Sequence, residues 1–381
     1  MTAGKGGSTA KVALFLPSLE GGGAEHVFVE LANQFTVQGL TVDLVLASAR
    51  GPYLGDVSSD VRIVDLEVSR VLSTLPGLVR YLRRERPAAL LSALDHTNVV
   101  AIMACRLAWS GTRCVISTRS VPSEVYRRAE TSGSQFLLRL MKAVYPFADA
   151  IVANSQAVAF DLSRLLRIPV DEIGVIHNPL NLARIERESR GPVTHDWLVA
   201  DAAPIILAVG SLTPLKDYAT LIRAFAIVRS RRDCRLAILG DGPERDKLAA
   251  VARQAGVAEH VLMPGFVPNP YVWMQRAAVF VSSSLTEGCP NALMQALALG
   301  APIVSTDCVG GSAEILDGGR WGKLVPVGLP GAMAVAIGES LDAGAQPESC
   351  RRAADFSHDR IARRFLEVLL PGKFAADVEV R

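Results

Sequence analysis

The chain has 381 residues, 50% of them hydrophobic, which is long enough for two domains with separate cores and too long for one core of ordinary size. Lysine and arginine number 40 against 38 acidic residues, and a net charge of +2 gives no signal for a polyanionic partner, so no nucleic acid is expected. The six cysteines, Cys105, Cys114, Cys234, Cys289, Cys308 and Cys350, stand far apart with no CxxC pair, which excludes a zinc ribbon and reads as reduced thiols rather than a disulfide framework.

Short β-rich apolar runs alternate with amphipathic helical stretches down the chain, the pattern of parallel sheets with crossover helices. After a Gly/Ser/Lys tail, "KVALFLP" reads as a buried strand, "GGGAE" as a glycine turn, residues 24–38 as a helix closed by Gly39, and "TVDLVLAS" as the next strand. Strands follow at "VRIVDL", "AALLSAL", "RCVISTR", "DAIVANS" and "IGVIHNP", separated by helical segments such as "SQFLLRLMKAVY" and "QAVAFDLSRLL". Between about residues 178 and 204 the periodicity lapses into a charged, proline-containing stretch, the best candidate for a linker. A second series has strands at "PIILAVGSL", "CRLAILGDG", "HVLMPGFV", "AVFVSSS", "APIVSTD" and "KLVPVG", and the last helix, "SHDRIARRFLEVLL", is placed to pack back across the linker. No apolar run reaches the roughly 18 to 20 residues of a membrane span, and the tail lacks the apolar segment of a secretion signal. A cytoplasmic location is therefore expected.

Open parallel sheets bind ligands at the carboxyl ends of their strands, so the loops leaving each strand are where chemistry is sought. In "PSLEGGGAEH", Gly21, Gly22 and Gly23 precede a helix, which suits either a tight turn or close backbone approach to a phosphate at a helix start. In "VGSLTPLKDYATLIRAF", Lys216 lies between a strand and a helix; a cation is disfavoured at a helix N-terminus, so its place there points to an anionic ligand, with a plain surface lysine as the bland reading. "ILGDGPERDKL" puts Gly240 in a turn whose Asp-Gly-Pro is ordinary turn chemistry and could equally face a ligand.

The richest segment is "TEGCPNALMQALALGAPIVSTDCVGGSAEIL". Glu287 follows a strand, Gly288, Cys289 and Pro290 make a turn, and the helix behind them aims its first N–H groups at the same spot. A carboxylate in apolar surroundings needs partners, which sugar hydroxyls or backbone donors could supply. In the first half, Asp95, His96 and Thr97 in "SALDHTN" and Arg119 in "VISTRSV" stand at strand ends; His96 reads as an acceptor contact or as a helix-cap neighbour with no chemical task. Arg80, Arg83, Arg84 and Arg86, with Arg127 and Arg128, read as solvated helix faces or as contacts for anionic lipid.

Taken together, "GGGAE", "VGSLTPLKDYATLIRAF", "LGDGPERDKL" and "TEGCPNALMQALALG" resemble the retaining family-4 glycosyltransferases of the GT-B fold, through nearly the whole chain and in the family's order. The resemblance implies an α/β protein of two Rossmann-like doubly wound parallel-sheet domains facing a central cleft. Residues 1–182 would form the acceptor domain and residues 183–381 the donor domain, with the final helix, about 357–371, returning to the first. It implies catalytic roles for Lys216 on the donor pyrophosphate, Glu287 on the transferred sugar and His96 from the other domain. It assigns the donor to Gly22 and Gly23, Ser211, Gly240, Phe266 and Val267 at the base, Gly288, Cys289 and Pro290, the backbone of Asn291, Ala292 and Leu293, and Gln295 at the ribose. Asp95, Thr97 and Arg119 are carried over to the acceptor. Ser211 stands where many relatives have an arginine, and Gln295 where they have a second glutamate. No cofactor and no metal are implied, in keeping with the lack of a DxD sequence. The expected partners are a nucleotide-sugar donor, probed first as UDP, and a glycan or lipid-linked acceptor met at the inner face of a cytoplasmic membrane. The rival readings are a catalytically silent nucleotide-sugar binder and a transferase with a soluble acceptor.

Overall fold

The computed structural model describes residues 10–20, 22–129, 132–193, 195–199 and 203–374. The chain divides into two compact units, one running up to Pro179 and resuming at His358, the other Leu180–Ser357. The boundary thus falls at Pro179/Leu180 instead of 182/183, and the last helix, His358–Leu369, belongs to the first unit. Among the described residues no helix is long and apolar enough to cross a membrane.

The first unit is built on β1 (Lys11–Leu16), β2 (Thr41–Leu46), β3 (Val61–Asp65), β4 (Ala89–Ala93), β5 (Arg113–Thr118), β6 (Ala150–Ala153) and β7 (Ile173–Val175). These strands are parallel and ordered β3-β2-β1-β4-β5-β6-β7. Side-chain alternation sorts the core into two layers. Val12, Leu14 and Leu16 face the helices Gly23–Val37 and His358–Leu369, while Ala13 and Phe15 face the side covered by Leu75–Glu85 and Asp95–Ala108. The strand order reverses between β1 and β4, which sets the Gly22 loop and the Asp95–His96 corner at the switch point where such sheets take ligands.

The helix His358–Leu369 buries Ile361, Ala362, Phe365, Leu366 and Leu369 in the layer that covers β1. Phe365 is fully enclosed, so Phe365→Ala is expected to destabilise this unit by about 3–5 kcal/mol, read as a lower midpoint in urea unfolding.

The second unit holds β8 (Ile205–Val209), β9 (Arg235–Leu239), β10 (Val261–Gly265), β11 (Val279–Ser282), β12 (Thr286–Glu287), β13 (Ile303–Thr306), β14 (Val309–Gly310) and β15 (Lys323–Val325). Its parallel sheet runs β10-β9-β8-β11-β13-β15, and β12 and β14 form a separate parallel pair. The stretch expected to be a linker is instead part of this unit. A short helix, Leu182–Ser189, carries one buried apolar row, and Leu180, Ile185 and Leu198 join the same core as Tyr271 and Trp273. Eight residues with two inward positions, only one of them apolar, leave too little periodicity to mark a packed helix by sequence.

Candidate functional site

In the second unit the strand order changes direction between β8 and β11, and the two residues singled out for chemistry leave those strands. After β8 the chain passes Gly210 and Ser211, makes one 3₁₀ turn over Pro214–Lys216, and enters the helix Tyr218–Arg229 through Asp217, whose carboxylate accepts from the Thr220 N–H. Ser283 Oγ donates to the Lys216 carbonyl at 2.6 Å, and the Leu285 N–H donates to the Leu215 carbonyl at 2.8 Å. The segment after β11 therefore clamps the lysine turn. Lys216 Nζ lies 2.5 Å from Glu287 Oε1, which also accepts from Ser284 Oγ at 2.7 Å. Beneath the pair, the buried Tyr218 hydroxyl is held protonated far above its usual range by burial and by the Glu287 carboxylate.

Glu287 owes its position to the β12–β14 pair, in which Thr286 faces Val309 and Glu287 faces Gly310. The turn that follows, Gly288, Cys289 and Pro290, is buried, and the helix Asn291–Ala298 begins there. Its first intrahelical bond runs from the Met294 N–H to the Pro290 carbonyl, which leaves the Ala292 and Leu293 N–H groups outside that series at the positive end of the helix dipole. The Leu293 side chain is in the core, so its backbone is what it can offer a ligand. Gln295 sits one turn further on and donates to the Tyr271 hydroxyl at 3.4 Å. Phe266 is 59% exposed, a large aromatic face left uncovered, while the neighbouring Val267 packs against the core. Gly240 has φ +139°, and a Cβ there would lie 2.1 Å from the Gly210 carbonyl oxygen, so the loops after β8 and β9 touch backbone to backbone.

In the first unit, Gly22 caps the helix Gly23–Val37, and Gly21 lies outside the described residues. A Cβ on Gly22 would sit 2.1 Å from Glu25 Oε2, so the Glu25 carboxylate lies directly over the glycine. Burial pushes that carboxyl above its ordinary value, Glu20 adds to the rise, and its own backbone N–H and Arg119 oppose it. A phosphate at this helix start would have to take the place of the carboxylate.

At the end of β4, Leu94 adopts φ +73°, unusual for a leucine, and delivers Asp95 and His96 to the start of the next helix. Asp95 accepts from the Tyr126 hydroxyl at 2.7 Å and the Tyr145 hydroxyl at 3.0 Å. Burial pushes its carboxyl up while the two tyrosine donors pull it down. Thr97 is fully buried, with no hydrogen-bond partner for its hydroxyl. Arg119 donates to Asn178 Oδ1 at 2.5 Å and to Ser117 Oγ at 3.4 Å. Arg127 pairs with Glu124 at 2.7 Å, and the Arg128 side chain lies outside the described residues.

Burial pushes the His96 imidazole below its ordinary 6.5, with Asp95 opposing. Between that lowered value and 6.5 the folded chain binds fewer protons than the unfolded one, so the contribution of neutral His96 is complete above 6.5 and is lost as the pH falls below it. Acidification from neutral pH is therefore expected to lower the melting temperature more steeply in the parent than in His96→Gln. Parallel slopes would remove His96 as the titrating group.

Several contributors escape a reading of residues one at a time. The Glu25 carboxylate, the Tyr218 hydroxyl and Ser284 all act through contacts with the residues beside them, Gly22 and Glu287. A glutamate three residues into a helix is a recognised capping signal, and it was available for Glu25.

Residues 203–343 match the family model described as "Glycosyl transferases group 1", and residues 21–184 the one described as "Glycosyltransferase Family 4". The N-acetylgalactosamine-N,N'-diacetylbacillosaminyl-diphospho-undecaprenol 4-alpha-N-acetylgalactosaminyltransferase of Campylobacter jejuni is 30% identical over 378 residues, covering 94% of this chain and 99% of that protein. The lipopolysaccharide core biosynthesis glycosyltransferase LpsE of Rhizobium meliloti is 27% identical over 350 residues, with 90% and 92% covered. Among solved structures, sucrose-phosphate synthase from Thermosynechococcus elongatus aligns with a TM-score of 0.78 at 20% identity over 94% of this chain and 98% of that one. Anabaena HepE in complex with UDP aligns with a TM-score of 0.75 at 18% identity over 95% and 99%. With both family models matched along its length and a 30%-identical relative covered almost completely, the chain belongs to the group 1 and family 4 glycosyltransferases and shares the GT-B fold.

Proposed function

We propose that this glycosyltransferase works with retention of configuration, taking a hexose or N-acetylhexosamine from a nucleotide sugar, with UDP as the leading nucleotide. It delivers the sugar to a hydroxyl of a polyprenyl-diphosphate-linked or cell-surface glycan at the inner face of the cytoplasmic membrane. The observation that carries this reading is the Lys216–Glu287 contact of 2.5 Å at the switch point of the second unit. A departing nucleoside diphosphate gains negative charge that a fixed ammonium and the start of the Asn291–Ala298 helix are suited to stabilise. A sugar needs an acceptor for its hydroxyl protons, and Glu287 supplies one. Lys216 and Glu287 satisfy each other here; a donor would draw the ammonium to its diphosphate and leave the carboxylate to the sugar. The acceptor oxygen would then attack from the face the diphosphate leaves, passing its proton to a phosphate oxygen.

Ser211, Gly240, Phe266, Val267, Gly288, Cys289, Pro290, Asn291, Ala292, Leu293 and Gln295 would complete the donor site on the second unit; on the first, Gly22 and Gly23 would bind donor phosphate and His96 would be catalytic. Asp95, Thr97 and Arg119 would serve the acceptor, Thr97 only through its neighbours because it is fully buried. The acceptor class is supported by the Campylobacter relative, whose name specifies a diphospho-undecaprenol substrate. One observation favours a silent nucleotide-sugar binder: Gln295 is neutral and already engaged with Tyr271, and Ser211 adds no charge. Incubation with UDP-, GDP- and ADP-sugars, followed by release of the free nucleotide and by NMR of the new anomeric centre, separates the readings. Tight binding without release from any donor supports the silent binder, and an inverted product overturns retention.

A further inference from the structure

We infer that the outer surface of the helices Leu75–Glu85 and Asp95–Ala108 is a docking face for an anionic phospholipid bilayer. This rests on the proposed membrane-borne acceptor and names the surface that would hold the enzyme to it. The helix Leu75–Glu85 buries Leu78, Tyr81 and Leu82 and turns Arg80, Arg83 and Arg84 outward, then stops at Arg86 in the left-handed conformation. Beside it runs a groove of about 730 Å³ lined by Leu75, Pro76, Val79, Leu107 and the three outward arginines.

The groove is framed by apolar groups that folding has left in water. Leu72 is 60% exposed, Leu107 50% and Trp109 90%. Trp109 ends the helix Asp95–Ala108 with φ +52°, which holds the indole off the surface. Arg83 fastens the two helices by donating to the Leu107 carbonyl at 2.9 Å, and Arg106 donates through Nε to the carbonyl of the exposed Phe147 at 3.0 Å. The pattern of a groove edged with guanidinium groups and an outlying tryptophan matches the headgroup layer, where an indole is half in hydrocarbon and cations meet lipid phosphates.

Charge complementarity selects an anionic occupant over a second copy of this face, and the exposed Trp109, Leu72 and Leu107 fit a headgroup layer over an acidic protein groove. Arg80 and Arg86 take part in no ion pair among the described residues, and Glu85, the one carboxylate of this helix, is held by Lys11 and Arg62. Those two partners hold the Glu85 carboxyl down, at about 2, so it does not neutralise the face by taking up a proton. Arg127, by contrast, is already paired with Glu124, so the helix Pro122–Ala129 is the weaker candidate.

The full chain is tested by co-sedimentation with vesicles of phosphatidylglycerol in phosphatidylcholine and with vesicles of phosphatidylcholine alone. Binding is expected to the first, to weaken with added salt, and to be much lower for the second. Each arginine near an anionic surface accounts for roughly fivefold in affinity, so the double variant Arg80→Ala, Arg86→Ala should lose about 25-fold. Trp109→Asn, which suits the left-handed conformation, should lose several-fold and also abolish a blue shift in indole fluorescence on vesicle addition. Arg253→Ala with Arg351→Ala, on the other unit, should change nothing. The inference is overturned if the parent ignores anionic vesicles, if both variants bind as the parent does, or if the variants instead dissociate an oligomer seen by sedimentation velocity. Nucleotide release from a sugar donor with a short soluble acceptor is measured in parallel. If the parent lacks it, the assignment of the reaction fails while the vesicle result still stands.

Discussion

Lys216→Ala is expected to lower kcat/KM for sugar transfer by about 10²–10³, the usual consequence of removing one preorganised donor from a site where charge develops. The fold should survive, because the Lys216 and Glu287 side chains keep 26% and 12% of their surface in solvent and Glu287 retains the Ser284 hydroxyl. The two halves of the pair are distinguishable. If the ammonium acts on the diphosphate, Lys216→Ala should weaken binding of the free nucleoside diphosphate by at least about tenfold, since a charge-assisted hydrogen bond contributes about 1.5–3 kcal/mol. Glu287→Gln should leave that binding unchanged and reduce kcat, because its partner is the transferred sugar. Titration calorimetry with UDP, alongside initial rates, reads both. Full turnover in Lys216→Ala would remove the lysine from the mechanism, and loss of UDP binding in Glu287→Gln would reverse the assignment of roles.

Gly310→Ala is expected to abolish transfer although Gly310 is assigned no contact with any substrate. A Cβ at this position would fall 1.5 Å from the Glu287 carbonyl oxygen, and φ is +141°, a conformation that alanine rarely adopts. No rotamer relieves a clash with backbone, so the two-residue pairing of β12 with β14 must open, and Glu287 moves with it. The rate should fall at least as far as in Glu287→Ala, on the order of 10² or more, with a clear drop in melting temperature. Gly318→Ala is the control: φ is +65° there as well, but no atom lies within 4 Å, so about 1–2 kcal/mol of strain is expected with the rate preserved. Equal rates for Gly310→Ala and the parent would show that the β12–β14 pair does not position the carboxylate.

The strands of both sheets were legible in the sequence because they are apolar runs of the right length between turn residues. What periodicity cannot register are features too short to repeat. β12 and β14 have two residues each and leave no pattern, and the helix Leu182–Ser189 offers one buried row, so by sequence it reads as a linker. Within the site, Lys216 and Glu287 could be picked out singly from their places after strands. Their contact spans 71 positions and depends on the clamp from Ser283 and Leu285, which no local signal carries. The Glu25 carboxylate over Gly22 changes the meaning of the glycine turn in the same way: composition marks a place for an anion, and only geometry reveals that the chain supplies one itself.

The return of the last helix to the first unit has a consequence for biosynthesis. Leu180–Ser357 is an unbroken segment, whereas its companion lacks Ile361, Phe365, Leu366 and Leu369 until the final stretch has been translated. Without that stretch Leu14, Phe28 and Phe35 have no cover on this side, whereas the segment Leu180–Ser357 holds its own cores complete. A released chain truncated just before His358 would carry one finished unit and one with an open apolar side, the kind of surface that recruits chaperones.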